Sequence, residues 1–271
     1  MHSTSGAVQG EQGKVLAGAP ELASGIALFL DFDGTLVHHE DHPAAVQVDE
    51  PLRSLLEGLR EATSGAFALI SGRSIADIDA LCSPARFAVA GQHGTERRSA
   101  DGTMHYHAPL AERLHVPAEQ LRRFVEDHPG LLLEEKGTSV ALHYRNAPDL
   151  AEAVEKEARR VLAALGDEFE LQGGKFVFEV RPSGRNKGTA IAEYLAEEPF
   201  AGRTPVFAGD DLTDELGFAL VNRRGGQTVK VGAGPTRARW RLADADAVRQ
   251  WLADFAARSG DGDGNGEVRT P

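Results

Sequence analysis

The sequence predicts an α/β protein with a Rossmann-like core, built on a parallel sheet, and an inserted α+β cap domain. Short apolar runs alternate with segments of helical periodicity in the first and last thirds of the chain, which is typical of a parallel sheet covered by helices. Between these parts, short strands separated by tight turns indicate antiparallel pairing. The chain has 271 residues, of which 41% are hydrophobic, so it can bury a large core.

The first part of the predicted core contains three strands and two helices. Apolar runs indicate buried parallel strands over 26–30, 67–70 and 87–90. Leucines at helical spacing predict an amphipathic helix over 51–62. Ser74 is a good N-cap for a second helix over 75–82.

The alternating pattern stops near Arg97 and resumes after residue 181. Within this stretch the sequence predicts strands over 104–107, 131–135, 139–144 and 175–180, and helices over 118–128 and 147–165. The later core is predicted to contain helices over 186–196, 214–223 and 245–257, and strands over 205–208 and 227–231.

The predicted domain boundaries follow from these changes of pattern. Both ends of the chain are rich in small and polar residues without apolar periodicity, which indicates disorder. The predicted domains are a disordered tail over 1–24, a discontinuous core over 25–96 and 182–258, a cap over 97–181, and a second disordered tail over 259–271.

Composition and charge narrow the choice of partners. The net charge of −12 argues against a nucleic-acid partner. No apolar run approaches the roughly 20 residues that a transmembrane helix needs, and the start of the chain lacks a signal-peptide pattern. The single cysteine, Cys82, cannot form an intramolecular disulfide and is expected to be a small buried residue. We therefore expect a cytoplasmic protein without a membrane partner. A monomer is a further expectation, which these features do not determine.

Four polar clusters stand where predicted core strands end or a core helix begins. Asp31 and Asp33 follow the first strand, Ser71 follows the second, Lys187 opens a helix, and the acidic segment 209–214 follows a later strand. The carboxyl ends of parallel strands form the ligand crevice of such a sheet. We therefore expect the four clusters to converge in space.

The residue types in these clusters suit phosphoryl transfer. One carboxylate can attack phosphorus while a second moves protons. A Mg²⁺ ion would neutralise charge and take oxygen ligands, and hydroxyl and ammonium groups can hold the phosphoryl oxygens. Taken singly, Ser71 is equally well a turn hydroxyl, and a lysine such as Lys187 is more often a solvated helix residue. The joint occurrence of the clusters favours a site.

In this order the clusters resemble the four motifs of the haloacid dehalogenase superfamily of phosphotransferases, beginning with DFDGT at 31–35. The superfamily places its larger caps between the second and third motifs, where the predicted insertion falls. The resemblance implies a nucleophile, Asp31, and a general acid/base, Asp33. It also implies a Mg²⁺ site formed by Asp31, the backbone carbonyl of Asp33, Asp210 and Asp214, and phosphoryl contacts from Thr35, Ser71 and Lys187.

Further segments resemble the bacterial trehalose-6-phosphate phosphatases over roughly residues 25–255. They include ISGR at 70–73, HGTE at 93–96, EEKG at 134–137, ALHYR at 141–145, GKFVFE at 174–179 and GDDLTDE at 209–215. The resemblance implies hydrolysis of trehalose 6-phosphate to trehalose and phosphate through an aspartyl-phosphate, and coupling to the synthase that supplies this substrate. By the same resemblance, the sugar phosphate would contact Arg73, His93, Glu134, Lys136, Lys175, Glu179 and Arg181.

Two alternative functions are consistent with the same polar clusters. The same chemistry could serve another sugar phosphate, such as sucrose 6-phosphate or a hexose phosphate. A phosphorylatable receiver-like switch would also carry acids, Mg²⁺ and a lysine, but it needs about half this length and no cap.

Histidines outside the motifs show no zinc-ligand spacing and are expected on the surface: His38, His39, His42, His105 and His107.

Overall fold

The computed structural model describes residues 15–40, 45–106, 112–174 and 176–260 of the chain. These residues form a nine-stranded sheet and a separate four-stranded sheet. No helix within the described ranges is long and apolar enough to cross a membrane. Several predictions fall outside the described residues, namely those for 1–14, His42, His107, Lys175 and 261–271.

The strands divide between the two sheets according to their position in the chain. In chain order they are β1 Leu16–Ala17, β2 Ile26–Leu30, β3 Phe67–Ile70, β4 Ala88–Gly91, β5 Glu96–Arg98, β6 Met104–Tyr106, β7 Leu132–Glu135, β8 Val140–His143, β9 Phe169–Gly174, β10 Val177–Pro182, β11 Thr204–Gly209, β12 Gln227–Val231 and β13 Trp240–Leu242. The large sheet has the order β1-β13-β12-β11-β2-β3-β4-β5-β6. It is parallel from β1 to β4, and β5 and β6 join antiparallel at one edge.

Several of the α-helices begin at a side-chain cap that the sequence supplies. In chain order the helices are α1 Glu50–Ala62, α2 Ile75–Cys82, α3 His115–Glu126, α4 Ala151–Leu165, α5 Lys187–Tyr194, α6 Glu215–Arg223 and α7 Ala245–Gly260. The Asp49 side chain accepts a hydrogen bond from the backbone N–H of Leu52 at the start of α1. Ser74 and Asn186 form capping boxes at the starts of α2 and α5.

Helices cover both faces of the large sheet, because β2 sends alternate side chains into two apolar cores. Leu28 and Leu30 pack into a core with α1 and α7, whereas Phe29 packs into a second core with α5 and α6. All of β2 is buried, and so is Cys82, as predicted. This doubly wound arrangement confirms the predicted fold class.

The four-stranded sheet forms the cap. Its order is β7-β8-β10-β9, and every pair is antiparallel. The helices α3 and α4 pack against it and share an apolar core with Leu142 of β8 and Val180 of β10. Register aligns Glu134, Ala141 and Glu179 in one row across β7, β8 and β10. Residues in such a row share one face of a sheet, so two carboxylates of the cap face the same way.

The cap begins later than predicted. The boundary at residue 97 is too early, because β5 and β6 belong to the large sheet. The sequence did not predict the strand β5, because Arg97 and Arg98 are both buried. Buried arginines break the apolar alternation that predicts a strand. Each arginine is paired, Arg97 with Glu197 and Arg98 with Asp79.

Three further strands are absent from the sequence prediction. The strand β1 has two residues and lies inside the predicted first tail, where Leu22 is also buried, so the prediction of disorder is wrong for residues 15–24. The polar, glycine-containing β9 and the short β13 carry too weak a pattern to predict. At the other end, α7 continues to Gly260, inside the second predicted tail.

We expect Arg98→Met to lower the free energy of unfolding by about 2–4 kcal/mol. Arg98 donates to both carboxylate oxygens of Asp79 at 2.8 and 2.6 Å and to the Phe87 carbonyl at 2.9 Å. Methionine keeps the aliphatic volume but leaves these acceptors unpaired. Urea denaturation measures the effect. Arg86→Met is the control, because Arg86 is 75% exposed and lies 3.7 Å from Asp79; equal losses in both variants would contradict the prediction.

Candidate active site

The predicted polar clusters lie at the carboxyl edge of the large sheet. Asp31 follows β2, and its backbone N–H donates to the Ala208 carbonyl of β11 at 2.9 Å. Ser71 follows β3, and its N–H donates to the Ala90 carbonyl of β4 at 2.8 Å. Lys187 is the first residue of α5. Side chains that are distant in sequence are therefore close in space, as expected for the ends of parallel strands.

Lys187 lies between two buried carboxylates. Its Nζ donates to Asp31 Oδ1 and Asp214 Oδ1, each at 2.7 Å, and none of the three side chains is more than 5% exposed. Burial raises the pKa of Asp31 well above its usual range; Lys187 opposes this shift, and Asp214 and Asp210 reinforce it. Burial disfavours the charged Lys187, but Asp214 and Asp31 outweigh it and raise its pKa. The cluster thus holds more carboxylates than one lysine neutralises.

The same acids fit a hard divalent cation. Carboxylate oxygens of Asp31, Asp210 and Asp214 all lie within 4.8 Å of one another. Asp210 Oδ1 is buried and has no hydrogen-bond partner among the described residues. A cation there would relieve the repulsion between the acids, and a set of oxygen donors suits Mg²⁺. The chemistry of this donor set therefore fits the predicted metal, with Asp33 expected to contribute only its backbone carbonyl.

His39 is exposed, as predicted, but it also contacts the acidic cluster, which the sequence did not predict. Its side chain is 68% exposed, but Nε2 lies 2.8 Å from Asp210 Oδ2. This hydrogen bond raises the pKa of His39. The contact arises because the loop after β2 turns back over the strand end at Gly34, whose φ is +78°.

Asp33 and Arg73 form a bidentate pair at the same edge. Arg73 donates from Nε to Asp33 Oδ2 and from a terminal nitrogen to Asp33 Oδ1, both at 2.7 Å. The Arg73 backbone N–H donates to Ser71 Oγ at 3.0 Å. Thr35 is fully buried, and its hydroxyl oxygen has no partner among the described residues. Hydroxyl and guanidinium groups of this kind suit an oxyanion ligand.

The cap contributes charged side chains that face the core. Glu134 Oε2 lies 2.9 Å from His143 Nε2, and this hydrogen bond lowers the pKa of Glu134. Lys136 Nζ lies 3.8 Å from Glu134 and 3.7 Å from Glu179. A cavity of about 490 Å³ is lined by residues of both parts, including Asp31 and Lys136. Glu179 lines an adjoining cavity of about 660 Å³. A ligand in these cavities would contact the core and the cap at once.

The two predicted substrate contacts not yet described, His93 and Arg181, lie in surroundings that differ from each other. The His93 side chain is 14% exposed and lies between core and cap, with Nε2 4.0 Å from Glu179 Oε2 and no partner for Nδ1 among the described residues. Burial, followed by Lys187, Lys136 and Arg181, lowers its pKa, so the imidazole is neutral at neutral pH. Arg181 is buried and donates to Glu170 at 2.7 Å, and it lines a third cavity of about 410 Å³ with His93 and Lys187.

Comparisons with known proteins identify the family. A model of the trehalose-phosphatase family matches residues 29–246. The chain belongs to the trehalose-phosphatase family. Trehalose-6-phosphate phosphatase of Escherichia coli (strain K12) is 48% identical over 238 residues, which cover 88% of this chain and 89% of that protein. The crystal structure of a trehalose-6-phosphate phosphatase related protein has a TM-score of 0.73 and 29% identity, covering 86% of this chain and 98% of that one.

Family membership confirms both resemblances inferred from the motifs, and the protein is an enzyme, a phosphatase of the haloacid dehalogenase type. A bifunctional trehalose-6-phosphate synthase/phosphatase of Thermoproteus tenax is 34% identical over 232 residues, which cover 83% of this chain and 31% of that protein. The roles of individual residues in this trehalose phosphatase stay predictions.

Sequence reasoning missed two residues that contact the acidic cluster. Besides His39, Lys230 at the end of β12 is buried, and its Nζ donates to the Asp210 backbone carbonyl. Lys230 pairs in register with Gly209 of β11, so its position at a strand end was a usable signal. No comparable signal existed for His39, because an irregular loop determines its position.

We expect Gly34→Ala to lower phosphatase activity by about 100-fold. A Cβ at this position would lie 2.3 Å from Asp210 Oδ2 and 2.5 Å from His39 Nε2, so Asp210 has to move. Hydrolysis of p-nitrophenyl phosphate measures the effect. Gly184→Ala is the matched control, because Gly184 has a similar φ of +73° and nothing within 4 Å of a Cβ. Normal activity of Gly34→Ala would show that the close approach at Asp210 is unimportant.

Proposed function

We propose that this protein is a Mg²⁺-dependent phosphatase that hydrolyses trehalose 6-phosphate to trehalose and phosphate through an aspartyl-phosphate. The observation that carries the proposal is the buried cluster in which Lys187 donates to Asp31 and Asp214 beside an unpartnered oxygen of Asp210. The Escherichia coli relative, named for this activity, supports the choice of substrate.

In the first proposed step, a carboxylate oxygen of Asp31 attacks phosphorus, and the bond between phosphorus and the sugar 6-oxygen breaks. Asp33 donates a proton to that oxygen, so trehalose leaves as a neutral alcohol. In the second step, Asp33 takes a proton from water, whose oxygen attacks phosphorus. The bond between phosphorus and Asp31 then breaks, which releases inorganic phosphate, restores the Asp31 carboxylate and leaves Asp33 protonated as at the start.

Other residues of the core hold the phosphoryl group during these steps. Lys187 and the hydroxyls of Thr35 and Ser71 donate to its oxygens, which lowers the energy of the transition state. Asp31, the Asp33 carbonyl, Asp210 and Asp214 would hold Mg²⁺, which would supply positive charge that offsets the charge of the phosphoryl group.

Arg73 links substrate binding to the proton transfer. As an acid Asp33 has to carry a proton, yet Arg73 occupies both of its oxygens in this structure. A guanidinium binds phosphate in the same bidentate way as it binds carboxylate. We propose that the substrate phosphate draws Arg73 away and thereby releases Asp33 for its role.

The cap is proposed to bind the glucose unit that carries no phosphate. Sugar hydroxyls both donate and accept, so Glu134 and Glu179 would accept from them and Lys136 would donate to them. His93, as a neutral imidazole, would bind the sugar phosphate where core and cap meet. Arg181 is proposed for the same substrate from its own cavity, and Lys175 by resemblance alone.

The location, oligomeric state and metabolic role of the enzyme are proposed in addition to its mechanism. We infer a cytoplasmic monomer that works in trehalose biosynthesis. The bifunctional relative from Thermoproteus tenax, named as both synthase and phosphatase, supports coupling of this activity to a synthase.

We expect Asp31→Asn to lower phosphate release from trehalose 6-phosphate by roughly 10⁴-fold, since an amide is a poor nucleophile toward phosphorus. Circular dichroism should show an unchanged fold. Asp246→Asn is the control, because the Asp246 side chain is 76% exposed and lies outside the cluster. In the wild type, acid quenching during turnover should trap a phosphoryl group on the peptide that contains Asp31. High residual turnover of Asp31→Asn would rule out this nucleophile.

We expect the wild type to prefer trehalose 6-phosphate over glucose 6-phosphate and sucrose 6-phosphate, and EDTA to abolish all turnover.

Glu134→Ala should lower kcat/KM for trehalose 6-phosphate by about 10- to 100-fold, because hydrogen bonds to a charged carboxylate are lost. Hydrolysis of p-nitrophenyl phosphate should change little. Glu155→Ala, which removes an exposed cap carboxylate paired with Arg159, is the control. Equal losses on both substrates would argue against sugar binding by Glu134.

A further inference from the structure

We propose that Thr138 is a positioning residue that docks the turn between β7 and β8 onto the core and thereby holds the sugar-binding side chains of the cap over the site. The proposal rests on the proposed function for the identity of the sugar. The docking itself rests only on contacts between Thr138, Gln92 and Thr95.

These contacts form a small buried network between the cap and the core. Thr138 Oγ1 lies 2.8 Å from Thr95 Oγ1 and donates to Gln92 Oε1, and the Thr138 backbone N–H donates to the same Oε1 at 3.3 Å. Thr95 Oγ1 also contacts the Gln92 carbonyl at 3.1 Å. The three residues are at most 9% exposed. Each hydroxyl has one proton, so Thr138 donates to Gln92 Oε1, and Thr95 donates either to the Gln92 carbonyl or to Thr138 Oγ1.

The core side of the network is a segment with an unusual backbone. Gln92 and His93 are consecutive non-glycine residues with φ of +46° and +57°. Such conformations persist only where their surroundings fix them. Here the Gln92 N–H donates to the Arg73 carbonyl and the His93 N–H donates to the Ser71 carbonyl, both at 2.9 Å. The cap turn is therefore docked onto the segment Gln92–Thr95. The same segment donates to the backbone carbonyls of Ser71 and Arg73, which are proposed to bind phosphate.

The cap side of the network is a tight turn that carries the proposed sugar contacts. The Lys136 backbone N–H donates to the Ser139 carbonyl at 3.0 Å, which closes the turn around Gly137 and Thr138. Ser139 Oγ donates to Glu179 Oε1, and Lys136 Nζ lies 3.7 Å from the same oxygen. A shift of the turn would therefore move Lys136 and Ser139, the two neighbours of Glu179 Oε1, together. Asp31 and Lys187 would stay in place.

Substitution of Thr138 by valine separates the hydrogen bonds from the packing. Valine keeps the branched shape but cannot donate from its side chain, so the buried Gln92 Oε1 loses its hydroxyl partner. Serine keeps the hydroxyl and removes only a methyl group. A role in docking through the hydroxyl predicts a defect in Thr138→Val and recovery in Thr138→Ser.

The first readout is kinetic. Thr138→Val should lower kcat/KM for trehalose 6-phosphate by about 10-fold, mainly through KM, and should change kcat/KM for p-nitrophenyl phosphate by less than about 2-fold. Thr138→Ser should stay within about 2-fold of the wild type on both substrates. An equal loss on both substrates, or no loss in Thr138→Val, would overturn the proposal.

The second readout needs no substrate and is independent of the proposed function. Hydrogen exchange of the free enzyme should speed up by about 10-fold or more across residues 132–143 in Thr138→Val, but not in Thr138→Ser, because the undocked turn opens more often. Unchanged exchange in Thr138→Val would overturn the docking role. A wild type that hydrolyses p-nitrophenyl phosphate but prefers another sugar phosphate would refute the proposed substrate and leave this exchange result to decide the docking.

Discussion

The contact of Lys187 with Asp31 and Asp214 is the interaction on which the site depends. A lysine in the first turn of a helix is unfavourably placed with respect to the helix dipole, so its position is explained by its two carboxylate partners. The partners lie 156 and 27 positions away in the sequence, so the contact forms only when both halves of the discontinuous core have assembled. Without this ammonium, three neighbouring acids at one sheet edge would repel one another.

This local balance explains how a protein with a net charge of −12 can bind an anionic ester. The remaining charge of the acids suits a divalent cation, and Asp210 already has Lys230 on its carbonyl and His39 on one carboxylate oxygen. Arg73 and Lys136 add positive charge around the opening. An anionic ester at the site therefore meets a few fixed cationic groups, together with the cation that the acids would hold, and these matter more to its binding than the net charge of the whole chain.

Burial in a parallel sheet accounts for the features that were best predicted from the sequence. The strand β2 has the predicted bounds because every residue in it is apolar and buried, and the convergence of Asp31, Ser71 and Lys187 reflects a rule about strand ends. The strand β5 was unpredictable because Arg97 and Arg98 are buried through ion pairs with residues distant in sequence. The contact of His39 depends on a loop path, which no periodicity encodes.

The junction of core and cap was also beyond sequence reasoning, because its partners Gln92 and Thr138 are separated by 46 positions and neither is unusual alone. This junction has a consequence for how the enzyme divides its work. The proposed phosphoryl chemistry uses groups fixed within the core, whereas the proposed recognition of the sugar uses cap side chains, among them Glu134 and Lys136 on the hairpin that meets the core at Gln92–Thr95. The same segment is anchored to the backbone of Ser71 and Arg73, so the cap docks directly beside the proposed phosphate-binding residues of the core. On this proposal, a small ester needs only the core, whereas a disaccharide phosphate needs both parts aligned.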